Sequence, residues 1–179
     1  MAEAGELGGA LLASYGVRFR KLKELGDGAL ARLSETDWHH VPPHGENSIA
    51  IIVQHLEGNM RSRWTDFLVT DGEKENRERD SEFTVQPELD GKTLWALWEG
   101  GWSILLHALD ALAPEDLLKT VEIRRQPLLV LDAINRQLAH YGYHVGQIVY
   151  LARMYRGDAW ESISIAKGKS TGYQARPDD

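Results

Sequence analysis

The segment Gln137-Leu-Ala-His-Tyr-Gly-Tyr-His-Val-Gly-Gln147 decides how this chain is read. It places His140 and His144 four residues apart. On an α-helix that spacing stacks two imidazoles on one face, one turn apart, close enough to share a metal ion. The neighbouring residues predict the helix: Val130, Ile134, Leu138, Tyr141, Val145, Ile148 and Val149 form an apolar arc at helical spacing. The two histidines border that arc, so they face the edge of a core and not open solvent. Spacing alone is a weak signal, because in a chain of this His content such a pair arises by luck about 0.3 times. A second pair, His40 and His44, straddles Pro42-Pro43. Two prolines do not sit inside a helix, so that pair reads as loop.

Composition narrows the function classes. The chain has 179 residues, 42% hydrophobic and 26% charged, as expected of one globular domain spanning residues 1–179. Its net charge of −7 leaves no basic stripe for a phosphate backbone, which argues against nucleic acid as a partner. No uninterrupted apolar run approaches a membrane span, and the first residues lack a secretory signal pattern. A cytoplasmic protein without membrane attachment is expected. There are no cysteines, so disulfides, thiolate ligands and a Cys nucleophile are excluded.

Working outward, three more helices are predicted. The first covers about residues 6–33, with Leu11, Leu12, Tyr15, Phe19, Leu22, Leu25, Leu30 and Leu33 in register, and a fray or bend expected at Gly26 and Gly28. The second covers about 48–70, capped by Asn47 or Ser48. Ile49, Ile52, Val53, Leu56, Met60, Trp64 and Phe67 make its buried stripe, and His55 lies at the stripe's edge. The third covers about 92–112, with Trp95, Trp98 and Trp102 on a heavy apolar face. Such tryptophans read as core or subunit interface, and Gly100-Gly101 as a close helix contact or a kink. His107 reads as a structural or surface residue. Between the second and third helices, Thr70 to Asp90 alternates in charge and reads as a mostly solvated long crossover, with Phe83 and Val85 as possible anchors. Residues 119–125 alternate, as one arm of a small hairpin would. Gln126-Pro127 is expected to open the fourth helix, about 128–156, with Pro in its first turn and Gly157 as its C-cap. The tail, 158–179, should lie along the body or a partner subunit, its last residues disordered. The fold class is all-α, a four-helix bundle with a long crossover between helices 2 and 3.

These features together resemble the DinB/YfiT-like superfamily of metal-binding four-helix bundles. The residues that carry the resemblance are Asn47 to Phe67 around His55, then Asp71-Gly-Glu-Lys and Arg79-Asp-Ser-Glu-Phe83, then Asn135 to Ala152 around His140 and His144, and the tail from Trp160 to Ser170. The resemblance implies that His55, His140 and His144 bind one divalent metal, zinc or nickel. More weakly, it implies a transferase or isomerase that uses a low-molecular-weight thiol on small electrophiles, and a homodimer.

Three neutral imidazoles and no thiolate suit a first-row transition ion. Three protein ligands leave a coordination position open, as in catalytic sites. Each ligating imidazole needs its other nitrogen held by a hydrogen bond. Asn59 lies one turn from His55, Gln137 lies near His140 and Gln147 near His144, so these are the expected holders. Tyr143 could donate to a substrate. Two rival readings are a non-catalytic, metal-stabilised binding or stress-associated protein, and a metal-activated hydrolase. The hydrolase would want a carboxylate base beside the metal, and Glu57 points to the wrong flank of its helix.

Overall fold

The computed structural model describes the backbone of residues 2–171 and the side chains of residues 5–171. Four helices carry the architecture: α1 (Ala2–Leu30), α2 (Ile49–Trp64), α3 (Gly91–Asp110) and α4 (Val130–Arg156). A two-stranded antiparallel sheet, β1 (Thr120–Ile123) and β2 (Gln126–Leu129), precedes α4, so the chain is mostly rather than wholly helical. The helices pack in a ring, with α2 against α3, α3 against α1, α1 against α4, and α4 against α2. Phe19, Trp64, Trp98, Trp102 and Tyr141 fill the middle, all fully buried. Trp98 and Trp102 are therefore core, and Trp95 packs half-buried against it.

Local chemistry sets the helix ends. Ser48 caps α2 by accepting from Ile51 N, and Asp90 caps α3 by accepting from Thr93 N. The second helix stops at Trp64, six residues short of the expected end, because Asp66 turns left-handed at φ 50°. Phe67 still packs on Trp64, at 4.8 Å between ring centroids, so its apolar periodicity is real although its backbone is a turn. Gly157 at φ 51° ends α4, as expected.

The first helix runs unbroken through Gly26 and Gly28. Gly26 is there for packing, since a Cβ at that position would lie 2.3 Å from the Trp98 ring. The absent side chain admits the indole to the α1 surface, where Trp98 Nε1 donates to Asp27 Oδ1 at 2.6 Å. Gly101 similarly faces α2, with Met60 and Glu57 against it, and α3 is a continuous helix.

Gln126-Pro127 belongs to β2 and not to the first turn of α4. Arg124 and Arg125 both adopt positive φ, 56° and 60°, as a two-residue hairpin turn requires. Asn-Gly would announce such a turn, whereas here Asp71 enforces it by accepting from Arg124 N at 2.8 Å and Arg125 N at 2.7 Å. Pro127 faces Glu122 in the register. Val130 N donates to Lys119 O, so the alternate pair Glu122–Pro127 is one that exchanges no hydrogen bonds, and the missing N–H costs nothing.

The start of the tail packs at the end of α1. Arg32 sits 5.6 Å from the Trp160 ring centroid, and Ile163 packs over Gly28. The expected disorder of the last residues falls outside the described residues.

The α2–α4 seam is polar as well as apolar. Tyr141 accepts from Trp64 Nε1 at 3.0 Å and donates to Asn59 Oδ1 at 2.9 Å, all three residues being buried. Tyr141→Phe leaves a buried N–H and a buried carbonyl unpaired. We expect it to lower unfolding free energy by about 1–3 kcal/mol in urea titrations, with helix content unchanged.

Candidate metal centre

Helical geometry brings His55, His140 and His144 together. Residues four apart on α4 share a face, and that face looks across the seam at His55 on α2. His140 Nε2 lies 3.3 Å from His55 Nε2 and 3.1 Å from His144 Nε2. The three ring nitrogens all fall within 4.8 Å of one another. Two nitrogens each about 2.0–2.1 Å from one tetrahedral ion sit about 3.3 Å apart, so both close separations suit a shared cation.

The outer nitrogens fix the tautomers. His55 Nδ1 donates to Glu82 Oε2 at 2.8 Å, and a carboxylate can only accept. His144 Nδ1 donates to Gln147 Oε1 at 2.8 Å, while Gln147 Nε2 donates to Tyr143 Oη at 3.1 Å. Both imidazoles therefore present an unprotonated Nε2 to His140 Nε2. One proton on His140 could bridge to one of them but not to both. A cation satisfies all three lone pairs, so the donor set fits a divalent metal.

Burial keeps His140 and His144 neutral. His140 is pushed down to about 3, first by desolvation, then by His144, His55, Arg63 and Arg77. His144 is pushed down to about 4, by desolvation and then by His55, against a small opposing effect of Gln147. Neutral imidazoles are ligands without first losing a proton.

Glu82 is the residue that sequence reasoning left without a role. It sits on a short helical turn, Arg79–Phe83, in the crossover. Its side chain is 9% exposed and that of Arg77 is 5% exposed, so the crossover is not simply solvated. Arg77 Nε donates to Glu82 Oε1 at 2.7 Å and Arg77 NH2 to Glu82 Oε2 at 2.8 Å. Burial raises the Glu82 pKa, but the bonds from His55 and Arg77 outweigh it and hold the group below the ordinary carboxylate range. Gly58 makes the approach possible, since a Cβ there would meet Glu82 Oε1 at 2.4 Å. Phe83 does anchor the crossover, with its ring centroid 4.7 Å from that of His55, while Val85 is exposed. A carboxylate after an Arg in a charge-alternating loop carries no periodic signal, which is why its role was not legible.

The expected holders divide accordingly. Gln147 holds His144, and Tyr143, exposed, holds Gln147. Asn59 does not hold His55, because Tyr141 has its carbonyl and Glu82 has the imidazole. Gln137 is buried, but its Oε1 bonds nothing among the described residues, His140 included. Glu57 pairs with Arg61 at 2.7 Å, away from the imidazoles. His40 packs edge-on to Tyr155 in the loop, and exposed His107 bonds Ser103 O, so neither joins the cluster. A cavity of about 230 Å³ opens beside His55 and His140, with Asn59 and Gln137 in its wall.

A family model described as a protein of unknown function, DUF1572, matches residues 6–169. No curated protein and no solved structure matches the chain.

Two outcomes follow from the geometry. Glu82→Gln keeps the shape but weakens the orientation of His55, and should loosen zinc binding about 10- to 100-fold in competition with a chromogenic chelator. In metal-free protein, the unfolded chain takes up protons on His140 and His144 near pH 6.5 while the folded chain resists until about 3 and about 4 respectively. Stability is therefore full above pH 6.5 and falls as pH drops below it. Melting temperatures at pH 7.5, 6.0 and 5.0 should show that fall, and His140→Gln/His144→Gln should flatten it.

Proposed function

We infer that this chain, which belongs to the DUF1572 family of proteins of unknown function, binds one divalent transition metal through His55, His140 and His144. The observation that carries the reading is the tautomer geometry: two Nδ1–H groups are tied to Glu82 and Gln147, leaving Nε2 lone pairs aimed at a third imidazole. Zinc or nickel is the proposed ion, on the chemistry of three nitrogen donors. The DinB/YfiT-like bundle is the proposed fold family, supported by the ring of four helices and the long crossover.

We take the site as reactive and not as a structural clip. Three ligands leave a position open, and the cavity against His55 and His140 gives a small molecule access to it. When bound, the ion would supply Lewis-acid chemistry, lowering the pKa of a thiol or water that reaches it. The protein's own part is orientation and exclusion. Glu82 and Gln147 fix two rings, Phe83 covers the His55 ring, and burial keeps His140 and His144 unprotonated at neutral pH. A thiol-dependent transferase or isomerase acting on small electrophiles is the proposed activity. The hydrolase reading is weaker, because both oxygens of Glu82, the carboxylate nearest the imidazoles, are engaged by Arg77 and His55. A purely metal-stabilised binding protein would need no open cavity at the ligands. We propose a homodimer and a cytoplasmic location. No helix among the described residues is long and apolar enough to cross a membrane.

Elemental analysis of untagged protein purified without chelators should find about one zinc or nickel per chain, and His140→Ala should abolish it while circular dichroism stays helical. Cobalt-substituted protein should develop a thiolate-to-cobalt charge-transfer band with a small thiol. Absence of metal, with no rise in melting temperature on adding zinc or nickel, defeats the site; metal without the band for any thiol defeats the thiol chemistry alone.

A further inference from the structure

The wall of the cavity beside the imidazoles is basic in an acidic protein. Lys and Arg number 20 in the chain against 27 Asp and Glu, yet five arginines line this one cavity: Arg63, Arg77, Arg79, Arg124 and Arg136. No carboxylate lines it. Two carboxylates stand behind the wall. Glu73 takes Arg63, Arg77 and Arg124, and Glu82 takes Arg77 again. Three arginines at the mouth are less fully engaged. Arg136 has no ion pair or hydrogen-bond partner among the described residues and is itself exposed. Arg79 approaches only the exposed Asp80, at 3.9 Å, and lies 5.0 Å from the Phe83 ring. Arg124 keeps one bond, to Glu73, and is 57% exposed.

A second observation points the same way. Among the described residues, two buried side-chain atoms of this wall lack partners: Arg63 Nε, a donor that an oxyanion answers, and Gln137 Oε1, an acceptor that only a donor elsewhere on the same molecule answers. Both residues are at least nine-tenths buried. Buried polar groups are ordinarily satisfied, and unsatisfied ones concentrate where a ligand completes the network. Spacing orders the parts. Arg136, His140 and His144 follow one another at single turns along one face of α4, so the Arg136 backbone lies about 6 Å along the axis from that of His140.

We propose that this cavity selects a small substrate bearing an oxyanion, a carboxylate or a phosphate, which Arg136 grips while Arg79 and Arg124 close around it. The anion lies at the mouth, and the rest of the molecule extends toward His140 and His55. A guanidinium holds a planar or tetrahedral oxyanion through two parallel N–H bonds, which fixes orientation as well as charge. The cavity, below the roughly 300–1,000 Å³ usual for drug-sized ligands, restricts the substrate to a small molecule. A basic funnel on a negatively charged protein also concentrates anions at this one opening. The substrate class rests on the metal-site reading for its chemistry, but the anion grip stands on the arginines alone.

The test uses full-length protein, zinc-loaded and metal-free, titrated with inorganic phosphate and separately with succinate, against chloride at matched ionic strength. Calorimetry and melting temperature read binding, and elemental analysis reads zinc. Saturable binding of phosphate or of succinate beyond chloride is expected, and the stronger arm identifies the oxyanion. Arg136→Gln should weaken it at least tenfold with zinc content unchanged. Arg153→Gln removes the same charge about 25 Å away along α4 and should leave affinity as it was. Zinc-loaded protein that binds neither anion beyond chloride overturns the proposal, as does equal weakening by both variants. Anion binding in protein that takes up no zinc overturns the metal reading instead and leaves the grip standing.

Discussion

The hydrogen bond between His55 Nδ1 and Glu82 is the contact on which the rest of the site depends. It joins α2 to the crossover, sets the tautomer of the one clustered imidazole that α4 does not supply, and gives a buried carboxylate its reason to be there. A buried carboxylate is costly unless its oxygens are answered. Here Arg77 answers from one side and His55 from the other, while Gly58 leaves the room. Arg77 needs Glu73 as well, Glu73 needs Arg63, and Arg63 reaches back to Gly72 O. A chain of charge satisfaction thus runs from His55 to the hairpin without using the hydrophobic core.

That chain explains how a stretch of alternating charge behaves as structure. A solvated loop of this length would carry a large entropic cost for any fixed placement. The crossover meets it with buried ion pairs, whose value lies in their mutual satisfaction and not in any single pair. The apolar ring of helices needs none of this to form. The basic cavity does, because two carboxylates hold arginines that would otherwise repel one another.

Much of the fold was legible because it is periodic. The apolar arc from Val130 to Val149 and the stripe from Ile49 to Trp64 located α4 and α2, and placed three histidines on facing edges. What was not legible lacks periodicity. Asp66 ends α2 through its own backbone, although Phe67 continues the hydrophobic pattern. Arg124-Arg125 makes a hairpin turn with neither Asn nor Gly, because the enforcing carboxylate is Asp71, 53 residues earlier. Pro127 looked like a helix opener because a first-turn proline and a proline at a non-bonded strand position leave the same mark in sequence. Gln147 at His144 followed from helical spacing, whereas Glu82 at His55 could come only from the crossover's path. Arg136 stood in plain view, one turn before His140, but an arginine on a helix face has no meaning until the cavity in front of it is known.

The Asp71 clamp has a consequence for motion. Arg124 and Arg125 sit in left-handed backbone that a single carboxylate, donated by another segment, holds in place. Gly72 N also bonds Glu122 O, so the start of the crossover and the hairpin support one another. The two segments, far apart in sequence, are thus expected to open as one cooperative unit that carries Arg124 of the cavity wall with it.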